Sequence, residues 1–201
     1  MTPFLKRFSS RPLSWSQLSC FSKELSPYAS PERWYDSYIL GNKTKSKEMD
    51  FGSQIELKFQ EDPTFLPKIP RGEVLQHELI GIYNGIRLIG KPDILSFKND
   101  KFLADLKTGR SPWSQSKADT TGQLTFYAFL LWINYKVKPE DFKMAIYWLP
   151  TMEDKDFKVQ MVKDAKVEVF KTKRTMRDVL LFVKKMEVIL KEMESYAQSR
   201  S

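Results

Sequence analysis

The stretch GKPDILSFKNDKFLADLKTG, residues 90–109, decides how this chain is read. Two short apolar runs flank the polar turn Lys98-Asn99-Asp100-Lys101, the pattern of a β-hairpin. Its strands carry Asp93, Asp105 and Lys107, charges that a hairpin does not need. Asp105 and Lys107, two apart in a strand, share a face. Alone they read as a surface ion pair of little worth. Asp93 joins that face only if the register sets it opposite Asp105, which a two-residue turn at Asn99-Asp100 does not do. The spacing therefore predicts a longer or bulged connection, or a bend at Pro92. If the three converge, two carboxylates and an ammonium meet in a small volume. Burying them is costly unless a cation or a phosphate joins them, and metal-assisted phosphodiester chemistry uses such a set.

Working outward, residues 102–107 return as a strand with Phe102, Ala104 and Leu106 on one face and Leu103, Asp105 and Lys107 on the other. Upstream, 74–83 and 86–97 read as two strands joined by Asn84-Gly85, because both residues tolerate the positive φ of a type I′ turn. Downstream, 108–121 reads as a polar loop, and 122–135 as a helix apolar around most of its circumference, hence buried between layers. A strand at 143–149 makes the strand, helix, strand order of a parallel crossover, and 167–170 reads as a further strand. The last helix, 175–197, keeps Met176, Leu180, Val183, Met186, Leu190 and Met193 at helical spacing.

Towards the N-terminus, a helix over 47–59 sets Met49, Gly52, Ile55 and Phe59 along one side. Glu56 lies in or beside that stripe, either as a marginal charge reaching for water or as a carboxylate turned inward. A lysine-rich connector, 42–47, precedes it. Ser30 as N-cap, Pro31 in the first turn and Gly41 as the stop bound an earlier helix that turns Trp34, Tyr38 and Ile39 inward. Another helix begins at Ser14, carries Leu18 and Phe21 inward, and ends before Pro27. Residues 1–12 read as a loose arm, and 13–198 as a single domain. Lys6, Arg7 and Arg11 among serines have some transit-peptide character. The cap at Ser14 and Gln17 leaves little room for a removable segment.

With 33 Lys and Arg against 25 Asp and Glu, the net charge is +8, spread along the chain, which favours an anionic partner. Any single lysine is as well explained by surface solvation. Cys20 is the only cysteine, which excludes an intramolecular disulfide and a multi-cysteine cluster. No apolar run approaches the ~20 residues of a membrane span, so no membrane is involved and a cytoplasmic protein is expected.

The motifs Gly90-Lys-Pro-Asp93, Asp105-Leu-Lys107-Thr-Gly109 and Gln123-Leu-Thr-Phe-Tyr127-Ala128 resemble, in that order, those of the PD-(D/E)XK nuclease superfamily in its RecB-like branch. Upstream, Leu13-Ser-Trp-Ser-Gln-Leu18 and Pro31-Glu-Arg-Trp-Tyr35 resemble the helical entry of that branch. Phe51-Gly-Ser-Gln-Ile-Glu56 resembles the helix that brings its first metal ligand. Most of residues 13–149 are covered, and the Gln-x-x-x-Tyr helix after Asp-Leu-Lys-Thr-Gly makes the likeness specific.

The resemblance implies an α/β fold: a mixed central β-sheet flanked by helices, with a restriction-endonuclease-like αβββαβ core, N-terminal helices and a C-terminal helix. It implies a Mg- or Mn-dependent deoxyribonuclease, exonucleolytic or structure-directed, serving DNA recombination, repair or mobile-element processing. DNA is the implied substrate, and a helicase or recombinase the implied kind of protein partner. Asp93, Asp105 and the backbone carbonyl of Leu106 would bind the cation, with Glu56 as first ligand, and Lys107 would orient or activate the attacking water. Gln123 and Tyr127, on one helix face, would contact the site or the DNA backbone.

Many relatives have histidine where this chain has Glu56; the lone His77 sits in a strand instead and reads as structural or surface. Ser30 stands where iron–sulfur relatives carry a cysteine, so no iron–sulfur cluster is expected. In the loop beyond Lys107, Trp113 and Lys117 with Arg110 have the aromatic and basic character that stacks a base and tracks phosphates. A loop tryptophan packed on its own domain is as common. The rival reading is a catalytically inactive nuclease fold that binds nucleic acid or a protein partner. The presence of every expected catalytic residue type argues against it.

Overall fold

The computed structural model describes residues 11–42, 46–62, 64–66, 68–71, 74–75, 78–98, 101–156, 158–164 and 166–200, with 74 and 75 as backbone only. His77, most of the N-terminal arm and the tip of the 98–101 turn lie outside the described residues. The first elements are β1 (Leu13–Ser14), α1 (Trp15–Phe21), α2 (Pro31–Trp34) with a π-helical continuation Tyr35–Leu40, and α3 (Lys47–Glu61). Then follow β2 (Val74–Leu75), β3 (Leu79–Tyr83), β4 (Ile86–Gly90), β5 (Ile94–Ser96), β6 (Phe102–Gly109), α4 (Gln115–Thr120) and α5 (Gly122–Tyr135). A 3-10 turn (Pro139–Asp141), β7 (Lys143–Glu153), β8 (Val159–Met161), β9 (Glu168–Thr172) and α6 (Met176–Ser199) complete the order.

Local chemistry explains the boundaries. Ser30 accepts from Arg33 N at 3.1 Å, Pro31 opens α2, and Gly41 ends the π-helical stretch at φ +87°. Asn84 and Gly85 take φ of 48° and 78°, closing the β3–β4 hairpin at the pair Tyr83 and Ile86. Thr175 and Asp178 form a reciprocal capping box at the head of α6.

The strands form two connected sheets. One has the order β1-β4-β3; the other has β2-β5-β6-β7-β8, with β9 also on β7. The expected strand over 86–97 is broken at 91–93, where Pro92 withdraws a ladder donor and the chain passes from β4 in one sheet to β5 in the other. β6 and β7 run parallel, as a crossover through α4 and α5 requires. α5 is buried without a break from Leu124 to Leu131, beneath β3 and β4 and against α6. α3 covers the opposite face of the second sheet, where Ile55 and Phe59 pack with Ile94, Ala104, Leu106, Ala145, Tyr147 and Leu149. This mixed sheet between helical layers is the restriction-endonuclease-like architecture.

Three expectations change. The stretch 108–121 is not all loop, since Ser114 caps α4 by accepting from Lys117 N at 3.2 Å. β7 runs on to Glu153, where it gains β8 as an antiparallel partner. In α6, Val183, Met186, Leu190 and Met193 are buried as the spacing predicts, but Leu180 is 50% exposed, and Val179, Phe182 and Ile189 complete the inward stripe. No helix of the described residues is long and apolar enough to cross a membrane.

Candidate active site

The register of the β5–β6 hairpin builds the site. Ile94 faces Ala104, Leu95 faces Leu103 and Ser96 faces Phe102, leaving residues 97–101 as the connection. One step further along the same register sets Asp93 opposite Asp105. The Leu106 N–H donates to Asp93 Oδ2 at 2.6 Å, tying the bend after Pro92 to the middle of β6. Lys107 Nζ lies 2.6 Å from Asp105 Oδ2, and is the only partner of that oxygen among the described residues.

The helix beneath completes the arrangement. Gln123 Nε2 donates to Asp105 Oδ1 at 2.8 Å and to Tyr127 Oη at 2.8 Å, and the Tyr127 hydroxyl donates to the Lys91 carbonyl at 3.0 Å. The i, i+4 spacing on α5 is what lets one amide reach both. These bonds run from the β4–β5 bend through α5 to Asp105, so both carboxylate-bearing segments are held by one helix turn. Gly90 permits this closeness: a Cβ there would stand 2.7 Å from Leu130 Cδ1 and 2.8 Å from Tyr127 Cδ1. On the other side α3 crosses β6 at Gly52, where a Cβ would lie 3.4 Å from Thr108 Oγ1, and brings Glu56 within electrostatic reach of Asp105 and Lys107.

The electrostatics are those of crowded negative charge. Desolvation, then Asp105 and Glu56, push the Asp93 carboxyl well above the usual carboxylate range, against the pull of Lys107 and the Leu106 N–H. Glu56 is raised by desolvation and by Asp105. Desolvation draws the Lys107 ammonium down, but Asp105, Asp93 and Glu56 outweigh it and the net shift is upward. Tyr127 is driven far up by burial and by Asp105, so its hydroxyl remains a donor.

Among the described residues, no three side chains of His, Cys, Asp or Glu are grouped closely enough to make a finished metal cage. The donor chemistry nevertheless fits a hard cation: Asp105 Oδ2 is buried with an ammonium as its sole partner among the described residues, and Asp93 and Glu56 repel it.

Comparison with known proteins gives the family. The family model described as the PD-(D/E)XK nuclease superfamily matches residues 42–197. The chain belongs to the PD-(D/E)XK nuclease superfamily. Among solved structures, a candidate exonuclease from Eubacterium rectale aligns with a TM-score of 0.57 at 13% identity, covering 98% of this chain and 87% of that one. An alkaline exonuclease from Laribacter hongkongensis aligns at a TM-score of 0.44 and 11% identity, over 98% of this chain and 99% of its own. The first likeness speaks for the fold alone, and the second is too distant to carry an argument. No curated protein matches the chain in sequence.

Within this superfamily member, Asp93, Asp105, Lys107, Glu56, Gln123 and Tyr127 are brought together. Trp113 and Lys117 are not joined to them by any hydrogen bond or ion pair among the described residues. The Lys117 ammonium lies 4.3 Å over the Trp113 ring, which packs on the core, and Arg110 pairs with Glu153 and Glu48. The role of the Lys91 carbonyl as acceptor for Tyr127 carries no signal in the sequence, because it depends on how α5 meets the bend.

Proposed function

We propose that this chain is a Mg2+- or Mn2+-dependent deoxyribonuclease, acting as an exonuclease in the cytoplasm in recombination, repair or mobile-element processing, and related to the RecB-like branch. The observation that carries the reading is Asp93, one residue before the β5–β6 ladder and bonded to the Leu106 N–H, beside the Asp105 and Lys107 ion pair of β6, in a chain of a nuclease superfamily. Glu56, Asp93, Asp105 and the Leu106 carbonyl would hold the cation. When bound, that cation would polarise the phosphate and make a coordinated water more acidic.

The protein's own groups do the rest. Lys107, held protonated by its carboxylate neighbours, acts as a donor to charge developing on the phosphate and orients the attacking water. Gln123 fixes the rotamer of Asp105, and Tyr127 fixes Gln123. Trp113 and Lys117 meet the strand further out, the ring stacking on a base and the ammonium near the backbone. The excess of basic residues draws the polyanion in.

The test uses Lys107→Ala and Asp105→Ala on labelled single- and double-stranded DNA with Mg2+, Mn2+ or chelator. Cleavage by the wild type should need the cation and fall by about 100-fold or more in each variant, with the fold and DNA affinity kept. Variants as active as the wild type defeat the assignment. A wild type that binds DNA without cutting it under any of these conditions favours the inactive binding module instead.

A further inference from the structure

One buried charge stands outside the carboxylate cluster. Arg174, between β9 and α6, is 4% exposed, and its guanidinium makes no direct contact with a carboxylate among the described residues. Nε donates to Thr125 Oγ1 at 2.8 Å; Nη1 donates to Thr172 Oγ1 and to the Lys173 carbonyl, each at 2.7 Å. Nη2 donates to the Ala118 carbonyl at 2.9 Å and the Thr121 carbonyl at 3.0 Å. A charged fork with every donor committed to neutral oxygens is a rigid clamp, and lysine cannot reproduce it.

The clamp closes on the start of α5. Thr121 is the N-cap of that helix but makes no side-chain cap bond, so the helix lacks the usual device that fixes its first turn. Arg174 supplies the missing fixation from outside. It holds the carbonyl of 121 and the side chain of 125, and Gln123 lies midway between them. The same guanidinium holds the end of α4 at Ala118 and the end of β9 at Thr172, whose hydroxyl donates on to Asp119 Oδ1 at 2.7 Å. From the other side the Trp15 ring closes on Gly122, where even a Cβ would be 2.5 Å from its Cη2.

We propose that Arg174 is a positioning residue of the active site: by gripping α5 on both sides of Gln123 it sets the distance at which Gln123 holds Asp105. This rests on the nuclease reading for its kinetic consequence but not for its structural one. An error of about 1 Å in placing a catalytic group costs up to about 100-fold in rate, so the clamp acts on kcat rather than on DNA affinity.

The experiment compares Arg174→Lys, Gln123→Ala and the double variant, each checked for folding by circular dichroism and thermal melting. Steady-state cleavage of a labelled oligonucleotide is measured alongside the side-chain amide signal of Gln123 by NMR. Arg174→Lys should lower kcat by about 10- to 100-fold with KM within about twofold, and the Gln123 amide protons should lose their dispersion and exchange faster. The double variant should be no slower than Gln123→Ala alone, because both act through one contact. A general structural role would instead multiply the two defects, and would overturn the proposal. If Arg174→Lys fails to fold, Thr125→Val removes the Nε acceptor at constant shape and should shift the same amide signal. A folded Thr125→Val or Arg174→Lys protein with wild-type kcat and an unmoved Gln123 signal also overturns it. If the wild type cleaves no DNA, the nuclease reading falls, and the amide signal alone decides this one.

Discussion

The two faces of β6 are equally buried and energetically opposite. Leu106 is 5% exposed and Asp105 2%, yet Leu106 enters an apolar cluster with Ile55, Ile94, Ala145 and Leu149, whereas Asp105 meets Lys107 and Gln123. The pleat alone assigns these neighbours to different environments. The apolar face is satisfied within itself. The other face crowds the Asp105 and Asp93 carboxyls around the Lys107 ammonium. In the proposed reading, the fold thus separates what holds the sheet from what would work on it at a spacing of one residue.

The sharpest way to break that comparison is Leu106→Ala. It empties a close-packed site while keeping the backbone carbonyl, so it should lower unfolding stability by about 2–5 kcal/mol in denaturant titrations. Cleavage per folded molecule should stay within about twofold. A loss under about 1 kcal/mol would show that the cluster under α3 is not what anchors the strand.

On the charged face the sign reverses. Asparagine at 93 can still accept the Leu106 N–H, but carries no charge to repel Asp105 and Glu56. Because the native pKa of Asp93 lies above its unfolded value, the folded chain binds the extra proton, and stability falls as pH rises through that window. With chelator, Asp93→Asn should therefore melt at the same temperature as the wild type below the window and above it at higher pH. Mn2+ should raise the wild type and not the variant. Melting curves in both conditions, begun below the free carboxylate value of about 3.9 and carried to alkaline pH, decide it; a variant less stable than the wild type throughout removes the idea of strained charge.

Much of this was legible in the sequence, for local reasons. Ser30, Pro31 and Gly41, and Asn84-Gly85 act on their own backbones, so their residue types announce them. The Asp93, Asp105 and Lys107 set was visible because charges in a hairpin have no ordinary reason to be there. What escaped depends on distant partners. β8 exists because β7 overshoots β6, and α4 is short enough to need β9 beside it. Leu180 shares its spacing with the buried Val183, Met186, Leu190 and Met193, and only the packed neighbours choose Val179 and Phe182 over it. Arg174 has no local signature, since three of its five bonds reach Ala118, Thr121 and Thr125, far away in the chain.

The smallest expected effect tests where support ends and chemistry begins. Tyr127→Phe keeps the ring against Gly90 but removes the hydroxyl that donates to the Lys91 carbonyl and accepts from Gln123. One hydrogen bond of this kind is worth about 1 kcal/mol, so the melting temperature should fall by a few degrees. Gln123 would still reach Asp105, only with more freedom, and cleavage should drop by no more than about tenfold. Burial and Asp105 hold the Tyr127 hydroxyl well above the usual phenol range, so near neutral pH the loss should not vary with pH. If Tyr127→Phe instead cuts as poorly as Lys107→Ala, the hydroxyl belongs with the reacting groups. The boundary on the charged face would then run through α5 rather than between α5 and β6.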